Sequence, residues 1–280
     1  VLRGPQGTLF GRNATGGLIH FIAKRPTEQE WNGYVEGSVS GFGTSSIEGA
    51  IGGALSDRVR VRFAAREEQS DGYVKAGTAF DTPATGQTSH GADGFGMRAM
   101  MQVDASDTVK LDLSLAYSKD NDVPSDAVGY QTEHIVTGSA ALTHGYGPLE
   151  FELAAATSYN RYGDVKLQGG GTQDNSDRDY YEPSVGLRLT YVDPPVLKPF
   201  AEAAYAPRRH IETRDRNGLD RNSDGYALGA GVTIAGDPVW QGELALTYLW
   251  RSYADPSLQS QSILGLNGSL TWSPTELTSI

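Results

Sequence analysis

In the stretch TVKLDLSLAYSKD, Val109, Leu111, Leu113, Leu115 and Tyr117 alternate with Lys110, Asp112, Ser114 and Ala116. Successive side chains of an extended strand point to opposite faces, so this stretch has one apolar face and one polar or small face. The pattern recurs through Leu149, Phe151 and Leu153, through Val185, Leu187, Leu189 and Tyr191, and through Tyr226, Leu228, Ala230, Val232 and Ile234. It returns at Leu244, Leu246, Tyr248 and Trp250, and at Leu264, Leu266, Leu270 and Trp272. Roughly twelve such segments can be marked, most of about ten residues or more, against about 5–6 for an ordinary soluble strand. Strands that cross a membrane need about 9–11 residues.

Aromatic residues close several of these segments: Tyr117, Tyr159, Tyr191, Tyr248, Trp250 and Trp272. Such rings favour the boundary between lipid and water, where one end can be dry and the other wet. The connectors alternate in length. Residues 56–58, 105–108, 145–147, 193–195 and 235–238 are short; residues 70–93, 119–133, 164–179 and 208–224 are long. Two connectors on the long side, 41–45 and 254–260, are shorter than the rest. Short turns at one end and longer loops at the other characterise outer-membrane barrels. The expected fold is all-β: an antiparallel transmembrane barrel of about 12 strands, preceded by a fragment of a plug. No apolar run reaches the ~20 residues that a membrane helix requires, so a membrane-spanning form has to be a closed sheet.

Charge and composition exclude other classes. The formal net charge is −11 over 280 residues, which disfavours nucleic acid as a partner because phosphate binding needs clustered Lys and Arg. There is no cysteine, hence no disulfide framework and no thiolate metal site. The five histidines, His20, His90, His134, His144 and His210, are scattered. No nucleophile elbow or phosphate loop occurs; no enzyme activity and no cofactor are expected. Asp220, Asn222 and Asp224 followed by Gly225 copy the first half of a calcium loop, but its twelfth position is Gly231 rather than a bidentate Glu, which makes a weak metal site at best. The first residue is Val, and the sequence reads as a processed or partial chain.

The opening VLRGPQGTLFGRNATGGLIHFIAKRP holds Arg3-Gly4-Pro5, Phe10-Gly11, Arg12, Gly16-Gly17 and the short apolar run Leu18–Ala23. This stretch resembles the end of the plug domain of TonB-dependent outer-membrane receptors, and the resemblance extends to about residue 118. It implies a plug remnant over 1–30 and a barrel over 31–280. It also implies uptake of a scarce ligand, often a ferric siderophore, across the bacterial outer membrane, driven in a full-length receptor by an inner-membrane TonB-type energy complex. The rest of such a plug and an energy-coupling box are not present in these residues.

Alternation places Glu36 and Glu48 on the polar faces of the first two strands and Arg60 and Arg62 on that of the third. Arg3 and Arg12 offer forked hydrogen bonds to carboxylates. The resemblance makes these residues plug–barrel contacts, with Arg3 against Glu36 or Glu48.

Residues from about 134 to 280 instead resemble a porin-2-like outer-membrane β-barrel family, which implies a passive pore or a structural protein of the same membrane. A join would fall in 119–133, a polar stretch read as lacking strand alternation; a natural fusion, an assembled gene and a chimera all fit. The faces are expected to divide sharply. Leu111, Leu113, Leu187, Leu189, Leu244, Leu246, Leu264 and Leu266 should meet lipid, and Arg60, Arg62, Asp112, Arg188 and Glu243 should face the lumen.

Overall fold

The computed structural model describes residues 2–3, 17–18, 24–26, 29–71, 74–75, 88–89, 93–122, 131–167, 170–193, 196–235 and 239–272. Twelve strands form one antiparallel sheet in sequence order. They are β1 (Asn32–Val39), β2 (Ser45–Ser56), β3 (Val59–Gln69), β4 (Asp93–Asp104), β5 (Val109–Asp122) and β6 (Gln131–Tyr146). The second half adds β7 (Leu149–Tyr162), β8 (Tyr180–Tyr191), β9 (Leu197–His210), β10 (Ser223–Ile234), β11 (Trp240–Tyr253) and β12 (Gln261–Trp272). Each strand pairs with the one before it and the one after it, as the alternating turn lengths imply. Among the described residues β1 and β12 are the two edges of the sheet, and no ladder joins them. No helix among the described residues is long and apolar enough to cross a membrane.

The register carries the alternation from strand to strand. Arg60 opposes Gln102, Gln102 opposes Asp112, and Asp112 opposes Ala141. Glu152 opposes Arg188, and Arg188 opposes Glu202. Polar residues therefore stack on one face across neighbouring strands, with the leucines on the other. Leu187, Leu189, Leu244, Leu246, Leu264 and Leu266 are all exposed on that second face, while Arg60 and Arg62 are buried on the first. Leu111 and Leu113 share the apolar face and are half-buried.

The polar face is concave. Arg251 on β11 donates to Glu182 on β8 at 2.8 Å, although strands three places apart in a flat sheet are separated by about 14 Å. Only a sheet curled toward that face brings the two side chains together. The apolar face is therefore convex. It leaves Ile51, Phe63, Leu115, Leu153, Leu228, Leu246 and Leu264 exposed, whereas the buried apolar residues among those described are few: Ala50, Val61, Val165, Phe200 and Ala245. A convex surface this apolar belongs in lipid.

Aromatic rings bound the apolar band. Trp240 stacks on Trp272 (5.7 Å between ring centres) near the short-turn end, and Tyr226 stacks on Trp250 (5.4 Å) near the other. Trp240 and Trp250 are ten residues apart on β11, which is about 33 Å along a strand and about 25 Å across a membrane at a tilt near 40°. Tyr181 and Tyr191 repeat the spacing on β8. This height matches the apolar band of an outer-membrane barrel.

The stretch 119–133 differs from its sequence reading. Strand β5 continues to Asp122 and β6 begins at Gln131, with Asp122 paired to Gln131 and Asn121 to Thr132. Above the lipid both faces of a strand meet water, so ladder hydrogen bonds persist after the apolar alternation has ended. At the N-terminus, Leu2–Arg3 pairs antiparallel with Gly17–Leu18 in a separate two-stranded ladder, Arg3 opposite Gly17.

Candidate functional site

The concave wall carries three groups of charges. In the first, Arg66 on β3 bonds Glu48 on β2 at 2.7 Å and Glu68 at 2.5 Å, and the Tyr34 hydroxyl on β1 donates to Glu48 at 3.0 Å. Arg60 pairs with Asp104 and donates to Gln102 at 3.2 Å; Gln102 passes the chain on to Asp112 at 2.9 Å. The second group centres on Arg188, which reaches Glu243 and Thr233 and lies 3.5 Å over the Phe200 ring. In the third, Glu182 takes Arg208 on one carboxylate oxygen (2.9 Å) and Arg251 on the other (2.8 Å). Of these pairs Arg188–Glu243 is two-pronged, one guanidinium nitrogen to each carboxylate oxygen, which fixes both side chains in place.

The proposed contact residues divide. Glu36 stands directly opposite Glu48 in the β1–β2 ladder. Like charges in that arrangement repel. Glu48 is compensated by Arg66, whereas Glu36 is exposed and has no ion pair or hydrogen bond from its side chain among the described residues. Arg60 is committed within the wall to Asp104. Arg62 is buried on the same face and has no side-chain hydrogen bond among the described residues. Of the plug motif, the backbone of Arg3 and Gly17 is described; Gly4, Pro5, Phe10, Gly11, Arg12 and Gly16 lie outside the described residues.

The candidate calcium residues have separate duties. The Asp220 carboxylate accepts from the backbone of Asn222, the Asn222 amide oxygen accepts from the backbone of His210, and Asp224 accepts from Tyr205 and Arg209. No group of three metal-capable side chains occurs among the described residues.

Sequence reasoning did not find the clasp on the outer rim. Arg216, in the connector after β9, holds Asp177 at 2.5 and 2.8 Å and the Asn175 amide oxygen at 2.9 Å in the connector before β8. Asn175 is almost wholly buried and donates to the Gly163 carbonyl. The Arg216 guanidinium holds the Asp177 carboxyl below the usual range, and Arg221, with the backbone N–H groups of Leu219 and Asn217, draws Asp215 down to about 2. The backbone N–H of Asp220 in turn reaches Asp255 in the connector after β11. Three outer connectors are thereby tied together. The signal was available only as a run of alternating Asp and Arg in 212–224, which does not specify partners.

A wall with lipid on one side and water on the other accounts for the division of the two faces, and this chain is a bacterial outer-membrane β-barrel protein. The model of the family described as "Putative beta-barrel porin 2" matches residues 57–280, and the chain belongs to that family. The match runs without a break through 119–133. The chain is also 39% identical, over 57 residues, to the pesticin receptor of Yersinia enterocolitica and of Yersinia pestis, which is 20% of this chain and 8% of the receptor.

Among solved structures, the chain is similar to the siderophore receptor PirA of Acinetobacter baumannii (TM-score 0.61, 15% identity, 99% of this chain and 45% of that one). It is similar to a mutant of the ferric enterobactin receptor PfeA of Pseudomonas aeruginosa (TM-score 0.61, 13% identity, 98% and 46%). It is also similar to the ferric yersiniabactin uptake receptor FyuA of Yersinia pestis (TM-score 0.56, 14% identity, 96% and 47%). At these identities the likeness is one of fold. The chain spans a little under half the length of these receptors.

Proposed function

We propose that this chain is the first part of the barrel wall of a TonB-dependent receptor-type transporter, with residues 1–30 the end of its plug. In this reading the transporter takes up a ferric siderophore or another scarce ligand, and an inner-membrane TonB-type complex supplies the energy. The observation that carries the proposal is Glu36. It is a lumen-side carboxylate on the first strand, repelled by Glu48 and without a cation among the described residues, whereas Glu48, Glu182 and Glu243 each have one. Residues 1–25 supply Arg3, Arg12, Lys24 and Arg25 and no carboxylate. A charge pair between plug and wall holds the plug while remaining breakable without unfolding either part, because partly hydrated pairs are worth only about 1 kcal/mol.

The test is charge reversal. Glu36→Arg, and Glu36→Arg with Glu48→Arg, should release the N-terminal segment to added protease while the β signal in circular dichroism persists. Unchanged protection in both variants contradicts the locking role. Binding of ferric siderophores to the chain in detergent micelles tests the ligand class.

A passive pore is the second reading, and it is favoured by the family match over residues 57–280. Planar-bilayer recordings separate the two: steady, unselective conductance without siderophore binding supports the pore.

A further inference from the structure

We infer that the concave wall where β1–β6 meet holds an anion-binding station for a solute bearing two or more carboxylate groups. A concavity of about 500 Å³ is lined there by Lys24, Tyr34, Glu48, Arg62, Arg66 and Arg98, with Met100 and Ile135 among its apolar neighbours. Arg62 opposes Met100 and Ala64 opposes Arg98 in the β3–β4 register. The two arginines are therefore diagonal neighbours on the polar face, about 7–8 Å apart along the diagonal with their Cβ atoms somewhat closer.

Neither arginine is committed. Arg66 is held by Glu48 and Glu68, and Arg60 by Asp104. Arg62 and Arg98, by contrast, have no side-chain hydrogen bond or ion pair among the described residues, although Arg62 is only 8% exposed. The Arg62 nitrogens are not among the buried, unpartnered side-chain atoms of the described residues, so they still meet water, which an oxyanion can displace. Residues 1–23 offer these arginines no carboxylate, since they contain no Asp or Glu. A solute carboxylate can fill that role, and a concavity of about 500 Å³ has room for one.

The chemistry fits a carboxylate ligand. Each guanidinium presents a planar fork that matches one carboxylate, so two forks at this separation suit a di- or tricarboxylate better than a single small anion. The contrast with the whole chain sharpens the point. A formal charge of −11 repels anions at long range, so a solute of this class has to be held by local contacts. Met100 and Ile135 supply an apolar floor for its carbon skeleton.

The inference rests on the concave face being the watered side of the barrel and not on energy-coupled uptake, so failure of the Glu36 reversals leaves it intact. Titration calorimetry of the full chain in detergent micelles, with citrate as the probe and choline as the cationic control, is the experiment. Citrate should bind and choline should not, and added salt should weaken the citrate binding. Arg98→Gln should weaken binding by about tenfold, and the double variant with Arg62→Gln should abolish it, since a charged hydrogen-bonded contact is worth about 1.5–3 kcal/mol. Arg62→Lys should retain part of the affinity. Arg58→Gln, in the short turn between β2 and β3, should leave it unchanged. Arg98 is exposed and unpaired, so its replacement does not compromise folding and keeps the test decisive. Absence of citrate binding, or an affinity unaltered by Arg98→Gln and by the double variant, overturns the inference.

Discussion

Arg188 and Glu243 stand three strands apart and touch, Nη2 to Oε2 at 2.6 Å, with Thr233 between them donating to the same carboxylate oxygen at 3.0 Å. The guanidinium also lies over the Phe200 ring and approaches Glu202 at 3.6 Å. One arginine thus ties β8, β9, β10 and β11 together on the concave side, and the tie exists only because the sheet is curved.

A double-mutant cycle on this pair should show coupling. Both side chains are partly exposed, so the expected interaction energy is about 1 kcal/mol. It is to be read from urea unfolding of Arg188→Gln, Glu243→Gln and the double variant in micelles. Strict additivity would mean the two side chains do not meet in solution.

Beneath Arg188, Phe200 is packed against Gly231, its direct partner in the ladder between β9 and β10. A Cβ at position 231 would lie 2.3 Å from the Leu244 carbonyl and 2.6 Å from the Phe200 ring. Gly231→Ala should destabilise the sheet by about 1–3 kcal/mol through overpacking. Gly138, where an added Cβ meets nothing within 4 Å, serves as the comparison and should tolerate alanine.

The two faces should respond oppositely to one substitution. Leu246→Arg puts a charge on the convex face near mid-strand and should cost about 2–4 kcal/mol in a bilayer. Ala204→Arg, on the concave face of β9, should cost well under about 1 kcal/mol because water reaches it. Equal costs would contradict the assignment of faces.

The outer clasp should be insensitive to mild acid. Asp177 and Asp215 have depressed folded-state values, so their contribution is fully present above the unfolded value of about 3.9 and is lost as pH falls through the folded one. Amide protection in residues 170–179 and 211–222 should hold from pH 8 to about 4 and fall between about 4 and 2. Arg216→Ala should remove that protection at neutral pH. Protection unchanged in Arg216→Ala would show that the connectors are held by something else.

The strands were legible because period-two alternation survives wherever one face meets lipid. Leu187, Arg188 and Leu189 could be assigned to opposite sides from the sequence alone, and the structure keeps them there. Where lipid ends, that signal ends as well, which is why Asp120 to Asp122 and Gln131 to Glu133 read as loop and are strand. The partners of Arg188 and Arg251 were not legible, since a reach across three strands depends on curvature that no local pattern encodes. Arg216 was hidden for a related reason: an Asp/Arg-rich connector shows that ion pairs are available without showing which connector supplies the other half. Glu36 and Glu48 were placed on the right face, but only the register set them opposite each other and showed that Arg66 answers one of them alone.

Central to all of this is a barrel wall with lipid on its convex face and water on its concave face. The absence of native cysteine makes every introduced cysteine unique, so β8 can be scanned one residue at a time from Val185 to Thr190 in reconstituted bilayers. Each variant is exposed to a membrane-impermeant thiol reagent and to a lipid-dissolved one. Positions 186, 188 and 190 should react with the aqueous reagent, and positions 185, 187 and 189 with the lipid reagent. A uniform response along the strand, or the opposite alternation, would contradict the outer-membrane barrel wall itself.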